Sequence, residues 1–153
     1  MNPLKRILLV EDSPKDVTLT LAAFEETLLA NEVVVVSDGQ EALDFLRRQG
    51  GYSERSDGNP AVVLLDLKLP KVNGLEVLEQ VKRDPELKNI PIVMLTSSRE
   101  ETDLARSYGL GVNAYVVKPV AFPEFVSALK ELGLFWAIVN QPPPGTVTRG
   151  GNR

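Results

Sequence analysis

Short apolar blocks and amphipathic stretches alternate five times along this chain. The blocks are Arg6–Val10, Glu32–Val36, Ala61–Leu65, Ile90–Leu95 and Ala114–Val117. They are rich in Val, Ile and Leu and mostly continuous, the pattern of strands buried on both faces of a parallel sheet. Between them, residues fall at helical spacing, as at Leu19, Ala22, Ala23 and Glu26, or Leu75, Leu78, Val81 and Lys82. Helix starts are marked by Ser13 before Pro14 with Asp16 three residues on. The pairs Ser37 with Gln40, Asn73 with Glu76 and Ser98 with Glu101 repeat the cap-plus-third-residue pattern. Pro123 suits the first turn of a last helix running through Leu134 and beyond. The expected architecture is (βα)5, an α/β fold. Right-handed crossovers make it a doubly wound, five-stranded parallel sheet with helices on both sides.

Two segments fall outside this rhythm. Gly50–Pro60, GGYSERSDGNP, predicts a turn-rich surface loop. Residues 141–153 open on three prolines and run out in Gly, Thr, Asn and Arg, which predicts a disordered tail behind one domain at 1–140.

Composition narrows the chemistry. The chain of 153 residues has 43% hydrophobic and 25% charged positions, enough for one well-buried core. Cysteine is absent, which excludes disulfides and thiolate chemistry. Histidine is absent too, which excludes Ser-His-Asp catalysis and any phosphohistidine on this chain. Phosphate would have to be handled by carboxylates, hydroxyls or lysines. A net charge of -4 and no basic run argue against nucleic acid or an anionic membrane as partner. No apolar stretch reaches the roughly 20 residues of a membrane span, and a cytoplasmic protein is expected.

In an open parallel sheet, ligands bind beyond the carboxyl ends of the strands. There the first block is followed by Glu11-Asp12, the third by Asp66, the fourth by Thr96-Ser97 and the fifth by Lys118-Pro119. Three acids, a hydroxyl and a lysine therefore converge on one edge. Clustered carboxylates repel one another, but together they suit Mg²⁺. A carboxylate also accepts a phosphoryl group once a metal and a cation neutralise the transferring oxygens. Singly, each residue has a plainer reading: Asp12 at a helix N-terminus, Ser98 as a cap, Thr96 bonding local backbone, Tyr115 packing on its strand. Their coincidence at one edge favours function.

The series VEDSP, LLDLKLPKVNG, VMLTSS and AYVVKP resembles the receiver domain of bacterial response regulators, over roughly residues 4–132. The resemblance implies a flavodoxin-like strand order 2-1-3-4-5 and no enzymatic turnover beyond the domain's own phosphorylation and dephosphorylation. It makes Asp66 the phosphoacceptor, served by a histidine kinase. Glu11, Asp12, Asp66 and the backbone carbonyl of Lys68 would hold Mg²⁺, and Thr96 and Lys118 would contact the phosphoryl group. Thr96 and Tyr115 would act as the switch on a face made by the fourth helix, fifth strand and fifth helix, and the bond before Pro119 would be cis. The longer Gly50–Pro60 loop and the WAIVNQPPP ending resemble single-domain regulators paired with phytochrome-type kinases.

A haloacid-dehalogenase-type phosphohydrolase is one rival, but it needs a second acid where Lys68 stands. A flavin-binding electron carrier needs a phosphate loop where EDSPKD is acidic. A pseudo-receiver scaffold would lack one of the five site residues. No DNA-binding or catalytic output segment is evident, so a downstream protein is the expected recipient. Leu132, Leu134, Phe135, Trp136, Ile138 and Val139 put apolar side chains almost all round the last helix, which predicts a homodimer through it.

Overall fold

The computed structural model describes residues 6–26, 32–97, 114–118 and 120–131. Five strands, β1 (Ile7–Val10), β2 (Val33–Val36), β3 (Val62–Asp66), β4 (Ile92–Thr96) and β5 (Ala114–Val117), form one sheet in the order β2-β1-β3-β4-β5. Every pairing is parallel, with Leu8 opposite Val34 and Val63, and Leu95 opposite Asp66 and Val116. The order reverses between β1 and β3, so their carboxyl ends open onto the crevice where ligands bind in such sheets.

The three central strands are buried at every position. The edge strands are not, because each has one flank without a neighbouring strand: Val35 and Val117 are 37% and 47% exposed. Alternate side chains enter two cores. Leu8, Val10, Val63, Leu65 and Met94 meet α2 (Gly39–Arg47) and α3 (Gly74–Arg83) on one face. Ile7, Leu9, Val62, Leu64, Val93 and Leu95 meet α1 (Pro14–Glu26) and the last helix (Phe122–Glu131) on the other. There the Phe24 and Phe125 rings lie 4.6 Å apart and clamp the two helices together.

Local details depart from the sequence reading at several points. Ile90 lies ahead of β4, which begins at Ile92, while Asp66 and Thr96 close β3 and β4 as expected. The ladder continues past the apolar run because Leu67 N–H donates to Leu95 O at 3.0 Å. The cap of α2 is Asp38, not Ser37: its carboxylate accepts from Glu41 N–H at 2.7 Å. Ser37 instead gives its own N–H to the Glu41 carboxylate at 3.0 Å. In α1 the buried positions are Thr20, Ala23 and Phe24, whereas Leu19 and Ala22 face outward. The seam is turned by Phe24, whose bulk must reach Phe125. Caps at Ser13 and Asn73 form as expected, accepting from Asp16 N–H and Glu76 N–H.

The Gly50–Pro60 segment is turn-rich and lies at the surface, as expected, but it is also firmly tied. A short 3-10 turn spans Gly50–Tyr52. Arg55 then lays its guanidinium 4.1 Å from the centre of the Phe45 ring and donates to Phe45 O at 3.1 Å. The same group bonds Asp57 and Gly58, closing the loop back onto α2. Among the described residues no helix is long and apolar enough to cross a membrane. Ser98, Glu101, Pro119, the fourth helix, the apolar run 132–139 and the tail 141–153 lie outside the described residues.

Candidate phosphoacceptor site

Each site residue is delivered by the end of a buried strand. Glu11 extends β1 by one rung, its N–H donating to Val36 O at 3.0 Å, and its side chain is shut away from solvent at 1% exposure. Asp12, the next residue, is exposed. Asp66 closes β3 at 3% exposure, and one of its carboxylate oxygens accepts from Lys68 N–H at 3.3 Å. Lys118 follows β5, and its N–H donates to Thr96 O at 2.7 Å, so the end of β4 aims it. Thr96 is fully buried.

Gly74 fixes Asp66 from behind. Its N–H donates to Leu67 O at 2.9 Å, and a Cβ there would stand 2.2 Å from Asp66 O. Any side chain would therefore push the end of β3 or the start of α3 out of place. Nothing local in the sequence marks this glycine as a close approach of two segments.

The side chains meet around one ammonium group. Lys118 Nζ lies 3.1 Å from Asp66 Oδ2, 3.2 Å from Glu11 Oε1 and 3.1 Å from Asp16 Oδ2. Asp16 was absent from the predicted set; the sequence marked it only as the partner of the Ser13 cap. Carboxylate oxygens of Glu11, Asp12 and Asp66 all lie within 4.8 Å of one another. Lys68 is exposed, and its N–H donates to Asp66. Tyr115 is half-buried and packs against the core under α2 and α3. Of the predicted set, Glu11, Asp12, Asp66 and Lys118 are thus brought together directly, Thr96 holds the backbone of Lys118, and Pro119 is outside the described residues.

The electrostatics follow from four carboxylates around one cation. Burial pushes the Glu11 carboxyl up to about 7, helped by its hydrogen bond with Asp66 and that group's charge, against the pull of Lys118 and Ser13 N–H. Burial would lower the Lys118 pKa, but Asp66, Asp16 and Glu11 outweigh it and hold the ammonium above its ordinary value. The site therefore carries surplus negative charge in a partly dry setting. Hard-oxygen donors under that strain fit a divalent cation such as Mg²⁺.

The family described as Response regulator receiver domain matches residues 7–130. The chain belongs to the response-regulator receiver family. This receiver is 40% identical over 135 residues to response regulator Rcp1 of Synechocystis, covering 88% of this chain and 90% of that one. It is 41% identical to the probable methanogenesis regulatory protein FilR2 of Methanothrix harundinacea, over 90% of this chain and 86% of the other. Among solved structures, the bacteriophytochrome response regulator RtBRR is 63% identical with a TM-score of 0.85, covering 94% of this chain and 86% of that chain. The phosphorylated cyanobacterial phytochrome response regulator RcpA is 42% identical at 0.71, covering 88% and 94%. The Mn²⁺-bound form of Rcp1 is 38% identical at 0.69, covering 94% and 97%. The receiver is thus homologous to phytochrome response regulators, and its family is one of signalling switches rather than enzymes. Phosphohydrolase and electron-carrier readings find no support in these relationships.

Proposed function

We propose that Asp66 accepts a phosphoryl group from the phosphohistidine of a partner kinase, and that phosphorylation switches the surface this receiver shows to its targets. The observation that carries this reading is the Lys118 ammonium 3.1 Å from a buried Asp66 that shares its pocket with Glu11 and Asp12. Asp66 attacks phosphorus in line. The new O–P bond forms as the P–N bond breaks, and its electron pair returns to the donor imidazole, leaving an acyl phosphate.

Glu11, Asp12, Asp66 and the Lys68 carbonyl would hold Mg²⁺, which when bound supplies charge neutralisation for the phosphoryl oxygens. Lys118 supplies a second positive charge, and the Thr96 hydroxyl a hydrogen bond. The added charge of about -1.5 to -2 draws Thr96 toward it, and the space vacated lets Tyr115 turn inward, changing the face built from the fourth helix, β5 and the last helix. The kinase is of phytochrome type in this reading, supported by the named relatives. Downstream partners are a protein target and, through residues 132–139, a second copy of the chain. The setting is the cytoplasm. The test is labelling by acetyl phosphate with Mg²⁺: the wild type takes up one phosphoryl group and Asp66→Asn none. Stoichiometric labelling of Asp66→Asn would sink the assignment.

A further inference from the structure

We infer that Asp16 is a positioning residue that restrains Lys118 and thereby slows charging of Asp66; this rests on the phosphoacceptor reading above. A lysine ammonium has three N–H donors. In this structure all three have a carboxylate within hydrogen-bonding distance: Glu11, Asp16 and Asp66. To reach a phosphoryl oxygen, Lys118 must give up or share one of them.

The three partners are not equivalent. Glu11 and Asp66 belong to the cluster whose oxygens lie within 4.8 Å of one another, together with Asp12. A cation bound there would draw on their lone pairs and offset their charge. Asp16 stands outside that cluster, on the first turn of α1, and keeps its full charge for Lys118 when the cluster is filled. It is also the most accessible of the three, at 27% against 0% and 5% for the Glu11 and Asp66 side chains. Asp16 is therefore the competitor that an incoming phosphoryl group meets. Its negative charge opposes the anionic donor, and its hold on Nζ draws the ammonium toward α1.

The α1 backbone does not depend on this contact. The Ser13 cap bonds the Asp16 N–H, which Asn and Glu both retain, so the side chain can be changed without removing the cap. The carboxylate adds only the modest helix-dipole contribution of a first-turn acid.

The experiment compares wild type, Asp16→Asn and Asp16→Glu as full chains. Asn keeps an acceptor oxygen and loses the charge; Glu keeps the charge. Three quantities are read: Mg²⁺ affinity by calorimetry, affinity for beryllofluoride in saturating Mg²⁺, and the initial rate of labelling by acetyl phosphate. For Asp16→Asn we expect Mg²⁺ affinity within about twofold of wild type, with beryllofluoride affinity and labelling rate each raised roughly threefold to tenfold. Asp16→Glu should return both to within about twofold of wild type. Unchanged or reduced beryllofluoride affinity in Asp16→Asn would overturn the inference, as would an Asp16→Glu variant as fast as Asp16→Asn. A wild type that takes no label at Asp66 would instead overturn the phosphoacceptor reading itself.

Discussion

Among the described residues two cations are drawn out of solvent, and they are served in opposite ways. Arg55 is 6% exposed, stacked on Phe45 and bonded to Phe45 O, Asp57 and Gly58. One carboxylate and several neutral carbonyls match its charge, and only its Nη2 is buried without a partner among the described residues. Lys118, at 14% exposure, faces three carboxylates with a fourth nearby. The Arg55 charge has a carboxylate of opposite sign beside it, and the side chain holds a loop to a helix. The Lys118 region is left with excess negative charge, which only a cation or a proton can relieve. Balanced charge builds structure; unbalanced charge awaits a ligand.

The largest effect expected of breaking this contrast comes from Lys118→Met. It should slow acetyl-phosphate labelling on the order of a hundredfold, the loss typical of removing one donor to a developing oxyanion. A rate within a few-fold of wild type would show that the ammonium contributes little. Next comes the acidity of the site itself. Because folding raises the Glu11 pKa from 4.5 to about 7, the folded state holds the proton more tightly than the unfolded chain. Its contribution is fully present below pH 4.5 and lost as pH rises through about 7. Urea unfolding of the metal-free protein should therefore weaken across that window by on the order of 2 kcal/mol. Saturating Mg²⁺ should flatten the slope; an identical slope with and without Mg²⁺ would contradict a metal seated on Glu11. The smallest effect is that of Arg55→Ala. Loss of the ring contact and the loop bonds should cost about 1–2 kcal/mol of stability, with no rescue by Mg²⁺ and no change in labelling rate. A labelling defect in Arg55→Ala would mean that the two regions are coupled.

The strands were legible because apolar runs are local statements about burial; their order in the sheet came from the family resemblance. All five strands carry them without interruption, but the runs did not reveal that β2 and β5 are partly exposed at the edges of the sheet. Caps that depend on a residue and its third neighbour, Ser13 and Asn73, were readable for the same reason. Asp38 was missed since Ser37 and Asp38 are both good caps, and the choice between them rests on where the chain turns from β2 into α2. The chemistry of Glu11, Asp12, Asp66 and Lys118 was legible because parallel strands send their carboxyl ends to one edge. Asp16 was not, since its partner lies 102 residues away and its first-turn position already had an adequate local explanation.

What the sequence determined by itself is the set of parts: five buried strands, the acids and the lysine at their ends, and the absence of any histidine or cysteine to do the work differently. The tertiary structure alone decided how one ammonium is divided among its carboxylates, that Gly74 must be bare so that α3 can start against the carbonyl of Asp66, and that Arg55 closes a loop over Phe45. Those outcomes depend on distances between segments far apart in the chain. Pattern along the chain reports which side chains avoid water; only packing reports which of them share a proton, a charge or a van der Waals surface.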